Sequence, residues 1–348
     1  MKKGIVLVTG SGGFNGRVVL QDLVKLGYSV RATDLESGER TSPHEFYDSL
    51  GVEFIPSDLT QPSTLPAVMK DVTCIMHTAS LFDYSATLEQ NNVINVDGGR
   101  NLLDAAVAAG VKKIILWGTI GVYGEQEILP VTEENPPNPS NAYEISKLAQ
   151  EELFLEYSKA GKIVVAVMRP SPVYGPGNRY GFINIMKYVT FLPSVPVPEK
   201  FDCRLPSVHV KDVSGIGIFL MEAPDKKVNG EVYTVIDNSN IHLAEFMYFI
   251  AGVLGKTTLP IKLPLHKGLL IEIGHLAAKL SGLGAQYITH KRPILEDATV
   301  GYMKYDYKFS NQKLKDLGYK FLYPDVRVGL IEMIDWIKSE NMEPLKLF

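Results

Sequence analysis

The stretch Ile5-Val6-Leu7-Val8-Thr9-Gly10-Ser11-Gly12-Gly13-Phe14-Asn15-Gly16 passes without a break from an apolar, β-branched run into a glycine cluster. Runs of that kind are buried on both faces of a parallel sheet. Val18, Val19, Leu23 and Leu26 then recur at helical spacing. The segment therefore predicts a strand, a tight turn and a helix. Such a turn gathers backbone N–H groups and a helix N-terminus where a pyrophosphate can sit. Gly10 serves the turn, Gly13 the approach of phosphate to backbone, and Gly16 the packing of helix on strand. Gly12, Phe14 and Asn15 share the loop. A second apolar strand, 29–33, ends in Asp34, 18 positions past Gly16. A carboxylate there accepts hydrogen bonds from both ribose hydroxyls and repels a 2′-phosphate. The expected cofactor is NAD in preference to NADP, with no metal.

Composition narrows the class. The 348 residues carry 35 basic and 39 acidic side chains, a net charge of −4. No lysine- or arginine-rich run is present, so nucleic-acid binding has no electrostatic footprint. Met1-Lys2-Lys3-Gly4 leads directly into the first strand, without an apolar leader. Cys74 and Cys203 cannot form a disulfide framework, and Cys74 lies in an apolar run. A reducing, cytoplasmic setting is expected.

Further strands are expected over 52–56, 72–77, 112–117 and 163–168, alternating with helices. That rhythm specifies an α/β fold with a doubly wound parallel sheet. Asp58, followed by Leu59, stands at a strand end and either meets the adenine or caps the next helix. Thr78-Ala79-Ser80 supplies small residues where a cofactor would cross the strand ends. Proline is frequent from Pro170 to Pro206, with no sustained period. Short strands return over 207–210 and 232–235 around a helix. Helices then dominate, over 243–254, 265–283, 311–317 and 326–338. We read a dinucleotide-binding domain over 1–176, rejoined by 207–237, and a smaller, mostly helical substrate lobe from 177–206 and 238–348. In the 265–283 helix, Leu269, Ile273, Leu276 and Leu280 form a stripe opposed by Lys267, Glu272, His275 and Lys279. Those charges argue against a membrane span. A helix packed on its own lobe is expected, with a lid or a peripheral membrane contact as alternatives.

Tyr143 and Lys147 stand one turn apart on a helix, sharing a face. An ammonium beside a phenol favours the phenolate, which can then exchange a proton with a substrate hydroxyl or carbonyl. Thr119 follows the fifth strand at the carboxyl ends of the strands, where ligands bind. Its hydroxyl is expected to hold the reacting oxygen; the alternative is a turn hydroxyl bonding local backbone.

Taken together, these motifs resemble the extended short-chain dehydrogenase/reductases, which include epimerases, dehydratases and 3β-hydroxysteroid dehydrogenases. The resemblance rests on Thr9-Gly10-x-x-Gly13-x-x-Gly16, Asp34, Asp58, 77–80, Asn95, Tyr143 with Lys147, and Arg169-Pro170. Val173-Tyr174-Gly175-Pro176-Gly177, 208–213 and 325–336 add to it, so nearly the whole chain is covered. The likeness implies that Thr119, Tyr143 and Lys147 are catalytic and that Lys147 holds the nicotinamide ribose. It also implies that Asn95 belongs to the cofactor site, that Pro170 to Val173 lie along the nicotinamide, and that two copies pair through the helices at 95–109 and 143–158. Leu148, Leu153, Leu155 and Tyr157 would line that homodimer interface. The chain departs from the family pattern at Asn15, usually apolar, at Gly118, often serine, and at Ser80, where a second alanine is usual.

Sugar dehydratases of the family carry acidic residues directly after the catalytic hydroxyl. Here those positions are Ile120 and Gly121, so elimination lacks its proton carrier. Phe82 and Tyr84 offer two rings near the reacting centre. The Pro-rich insertion is apolar, and Lys187, Lys200 and Arg204 are its only cations between Tyr180 and Pro206. Phe82, Tyr84, Thr119, Ile120 and Arg204 are the candidate substrate contacts. This lining favours hydride transfer between NAD and a secondary alcohol or ketone on an apolar small molecule. Nucleotide-sugar 4-epimerisation on tightly bound NAD is the alternative, and a regulator that binds NAD(P) without chemistry is a second one.

Overall fold

A computed structural model describes residues 4–36, 43–178, 192–199, 203–262, 267–284 and 307–340, with 181, 183, 186, 189, 300, 301 and 304. Seven parallel strands form the central sheet: β1 Ile5–Thr9, β2 Val30–Thr33, β3 Glu53–Phe54, β4 Val72–His77, β5 Lys113–Trp117, β6 Val164–Pro170 and β7 Glu231–Val235. Their order across the sheet is β7-β6-β5-β4-β1-β2-β3. The order reverses between β1 and β4, and in such sheets ligands bind at the carboxyl ends of the strands flanking that point. Leu7, Val8, Ile75, Met76, Ile114, Leu116, Val165 and Val167 are fully buried, as expected for strands covered on both faces.

Two small sheets lie outside this frame. Val173–Tyr174 pairs in parallel with Val208–His209, so the 207–210 strand joins the turn after β6 rather than the main sheet. Ser194–Pro198 pairs in parallel with Thr257–Ile261. The sequence reading had no strand at Ser194–Pro198, because proline removes a ladder donor. The segment nevertheless alternates strictly. Val195 and Val197 are buried while Pro196 and Pro198 are half-exposed, and a two-stranded sheet leaves each strand one open side for groups lacking N–H.

Apolar side chains collect into separate cores. One links Val6, Leu20, Trp117 and Met168 with Val208, Val213, Ile216 and Tyr233, so the 207–237 segment packs with the first half of the chain. Another gathers Tyr174, Val195, Val197, Ile241, Phe246, Ile250, Leu330 and Met333. Helix Lys267–Gly284 joins this second core through Ile271 and Ala278, and a Cβ on Gly274 would fall 2.8 Å from a Val300 methyl. The stripe that the spacing predicted to face inward, Leu269, Ile273, Leu276 and Leu280, is exposed instead. The helix does pack on its lobe, but through its other, smaller side chains.

Candidate active site

The glycine turn is built for an anion. Gly10 adopts φ +64°, and a Cβ there would fall 2.6 Å from the Ala79 backbone. A Cβ on Gly16 would lie 2.2 Å from the Gly10 carbonyl oxygen, so the helix can sit this close only with glycine. Helix Phe14–Lys25 has no side-chain N-cap and no acidic residue in its first turn. Its leading N–H groups and positive dipole end are thereby left for a pyrophosphate. Gly12 N–H donates to Asp34 Oδ2 at 2.9 Å and Leu35 N–H to Oδ1 at 2.8 Å, fixing that carboxylate at the end of β2 with lone pairs to spare. The Phe14 ring lies 3.5 Å from where a Gly177 Cβ would be. The turn after β6 therefore meets the glycine turn, as Pro170 and Val173 alongside a nicotinamide require. Buried Asn15 Oδ1 and Ser171 Oγ have no partner within the protein. These residues fit a dinucleotide.

Other expected cofactor contacts are already engaged. Asp58 accepts from Thr60 N–H at 2.9 Å, Thr60 Oγ1 at 2.7 Å and Gln61 Nε2 at 3.1 Å, a local turn rather than a free carboxylate. The Leu59 carbonyl accepts from Asn101 Nδ2. Thr78 Oγ1 donates to the Thr9 carbonyl at 2.7 Å, clamping β4 to β1 and holding Ala79 under the turn. Asn95 lies on a π-helical turn, Val93–Asp97, a distortion frequent at functional sites. Its Oδ1 accepts from Leu81 N–H at 2.8 Å and Ser80 Oγ at 3.1 Å, while Nδ2 donates to Ser146 Oγ at 3.0 Å. Ser80 and Asn95 thus tie the end of β4 to the helix that carries Tyr143.

That helix, Ala142–Lys159, begins at Asn141, whose side chain accepts from Glu144 N–H at 3.0 Å. Tyr143 and Lys147 are both buried. The Phe82 ring meets Tyr143 edge-on at 5.0 Å, Tyr84 meets it at 5.6 Å, and the two lie 5.3 Å apart. The two predicted aromatic rings therefore enclose the phenol. Thr119 Oγ1 accepts from Gly121 N–H at 3.1 Å. The local turn bond anticipated as the alternative is present, yet it occupies only an acceptor site and leaves the hydroxyl hydrogen to donate. Ile120 is buried with Val122, Tyr123, Val131, Ile236 and Phe309. Arg204 forms an antiparallel bridge to His242. Lys187 and Lys200 lie outside the described residues.

The expected lowering of the phenol is not met. Burial, with Tyr84 and Glu144 adding to it, holds Tyr143 above the usual tyrosine range; the Ser80 hydroxyl works against this. Lys147 does not offset the shift, because its ammonium points elsewhere. Nζ donates to the Trp117 carbonyl at 2.7 Å and to Gln150 Oε1 at 2.5 Å. Burial draws Lys147 itself down to about 7, and Glu151 partly opposes that.

Two features escaped the sequence reading. The first is a buried polar chain, in which Gln150 Nε2 lies 3.2 Å from His77 Nε2 and His77 Nδ1 lies 2.7 Å from Thr9 Oγ1. The glycine turn and Lys147 are thus joined through side chains. Gln150 is one turn past Lys147, so helical spacing was the available signal. The second is Glu144, fully buried and accepting from Ser140 N–H and Oγ. A Cβ on Gly121 would fall 2.9 Å from its Oε1, so a carboxylate from the helix occupies the space beside the Thr119 turn. Gly118 is explained as well, since a Cβ there would lie 2.8 Å from the Met168 carbonyl.

The profile of the NAD dependent epimerase/dehydratase family matches residues 6–235. The chain belongs to that family, whose members are extended short-chain dehydrogenase/reductases, and NAD is the cofactor that it is built to hold. A UDP-glucose 4-epimerase from Vibrio cholerae is 26% identical over 302 residues, covering 83% of this chain and 89% of its own length. A 3beta-hydroxysteroid-dehydrogenase/decarboxylase from Arabidopsis thaliana is 24% identical, covering 96% of this chain and 80% of its own. Among solved structures, the NAD complex of a Thermus thermophilus UDP-glucose 4-epimerase superposes with a TM-score of 0.71 at 23% identity, covering 96% and 99% of the two chains. That likeness extends the family fold over the C-terminal lobe.

Proposed function

We propose that the protein is an oxidoreductase that moves a hydride between NAD and a secondary alcohol or ketone on an apolar scaffold. The observation that carries this reading is the enclosure of Tyr143 by Phe82 and Tyr84. Two aromatic edges against the proton carrier suit an apolar ring system and give a sugar's hydroxyls nothing to bond. Bound NAD supplies the hydride donor and acceptor. The Thr119 hydroxyl donates to the substrate oxygen, oriented by its bond to Gly121. Tyr143, kept as a neutral phenol by burial, gives its proton to that oxygen in the reductive direction and recovers it in the oxidative one. Lys147, held by Trp117 and Gln150, keeps its remaining donor for the cofactor's ribose. Asp34 would favour NAD over NADP.

The test is nicotinamide absorbance with apolar secondary alcohols, repeated on Tyr143→Phe. Net NADH formation that the substitution reduces at least ~100-fold is expected for a lost proton carrier. Turnover unaffected by the substitution would remove Tyr143 from the role. The Vibrio cholerae relative favours a second reading, 4-epimerisation of a nucleotide sugar. It would give an epimerised product with no net NADH. We also propose a homodimer. The expected apolar face includes Leu153 and Tyr157, which are buried in the chain's own core. Leu88, Val93 and Ile145 are the exposed apolar side chains on these helices, and Ile145→Glu should shift the sedimentation coefficient to that of a monomer.

A further inference from the structure

Helix Lys267–Gly284 carries a second apolar stripe that its own fold does not use. Leu269, Ile273, Leu276, Leu280 and Leu283 recur at alternating steps of four and three and are 50 to 62% exposed. They lie opposite Ile271 and Ala278, the side chains that meet the lobe's core. A surface helix ordinarily has one apolar stripe, turned inward. Continuous outward stripes of this length mark an interaction surface.

We propose that this face binds an anionic bilayer, lying in the plane of the headgroups with its leucines among the upper acyl chains. Charge selects this occupant. Between Lys262 and Arg292 the sequence carries five lysines and arginines against one acidic residue, Glu272, in a chain whose net charge is −4. A basic segment beside an exposed apolar stripe matches an interfacial helix on acidic lipid. No helix among the described residues is long and apolar enough to cross a membrane, so the helix lies on the surface. A second copy is a poorer occupant, because five half-exposed side chains fall well short of the ~800 Å² per partner that a stable pair buries. The inference rests on the helix alone and does not depend on which reaction the site performs.

The experiment is co-sedimentation of the full chain with vesicles of phosphatidylcholine, and of phosphatidylcholine mixed with phosphatidylglycerol. Binding to the mixed vesicles is expected, weakening at high salt as surface charge is screened. The double substitution Ile273→Asn with Leu280→Asn should weaken partitioning about 30-fold, from two half-exposed aliphatic side chains. The melting temperature and NAD binding should stay unchanged, because both positions face outward. Absence of binding to the mixed vesicles overturns the proposal, as does binding that the double substitution leaves intact. Self-association abolished by the same substitutions, without vesicle binding, would assign the face to a second copy instead. A failed alcohol assay with vesicle binding preserved would leave this inference standing and remove only the reaction.

Discussion

Gln150→Leu tests whether Lys147 is set by the buried polar chain beneath it. Gln150 Oε1 accepts from the Lys147 ammonium at 2.5 Å, deep in the protein. A hydrogen bond to a charged group contributes about 1.5–3 kcal/mol, so its loss should lower the Lys147 pKa by about 1–2 units. That takes the group from about 7 into the acid range. The sign follows from linkage. Below its folded pKa the wild-type lysine keeps its proton in the folded state, whereas the variant must give it up or hold it unpaired. Above that range both proteins fold with a neutral amine and only a neutral contact differs. The destabilisation caused by the substitution should therefore be about 1.5 kcal/mol larger at pH 5.5 than at pH 9. Urea unfolding of both proteins at the two pH values measures it. In kcat/KM, any limb belonging to Lys147 should move down by the same 1–2 units. Equal destabilisation at both pH values would refute the charged contact. It would mean that Gln150 serves only to fill space between His77 and the helix.

The remaining expectations concern the cofactor turn and acid stability. Asp34→Ser should weaken NAD binding about 10- to 100-fold, removing a charged acceptor for ribose hydroxyls, and should narrow the gap to NADP; titration calorimetry with both cofactors decides it, and unchanged NAD affinity would take Asp34 out of the site. Gly16→Ala puts a Cβ 2.2 Å from the Gly10 carbonyl oxygen and 2.8 Å from Ser11 Cα, both backbone, so NAD should no longer raise the melting temperature; a preserved shift would mean that the turn relaxes. Burial lowers His77 to about 3 and His209 to about 4, and both must stay neutral in the fold while the unfolded chain takes up protons. Stability they provide above pH 6.5 is lost as pH falls, about 4 kcal/mol together by pH 5. Asp237, pushed up to about 6 by burial, runs the other way and returns about 1 kcal/mol over the same range. Urea unfolding should thus show a net loss of about 3 kcal/mol between pH 6.5 and pH 5, and a chain equally stable at both would contradict the neutral histidines.

The main sheet was legible because each of its strands writes a short apolar run bounded by turn residues, and because the glycine cluster has few alternative uses. Tyr143 and Lys147 were legible as a pair through helical spacing alone. Spacing does not say where an ammonium points, however. The Trp117 carbonyl and Gln150 claim Lys147 Nζ, and these partners come from a strand end and the next helical turn. Helix Lys267–Gly284 shows the same limit. Its large side chains and its small ones each form a stripe, and the small ones, Ile271, Gly274 and Ala278, allow the closer approach to the core. The proline-bearing strand Ser194–Pro198 was missed because proline counts against a strand on average, while an open-sided pair accepts it.

The polar chain below the site also explains why Tyr143 and Lys147 depart from the expected pairing. In a site this dry, burial raises the phenol and lowers the ammonium together, so both groups move toward neutrality. A phenolate would need a nearby positive charge, and the nearest one is directed into Trp117 and Gln150. Tyr143 therefore rests as an acid. A resting acid beside the Thr119 donor is suited first to protonating a carbonyl oxygen, so the geometry without ligand is that of a reductase's ground state. The oxidative direction needs the phenol to lose its proton before an alcohol can give up its own. That requires Lys147 to turn from Gln150 toward the ribose side, and the strength of the Gln150 contact sets how readily it turns.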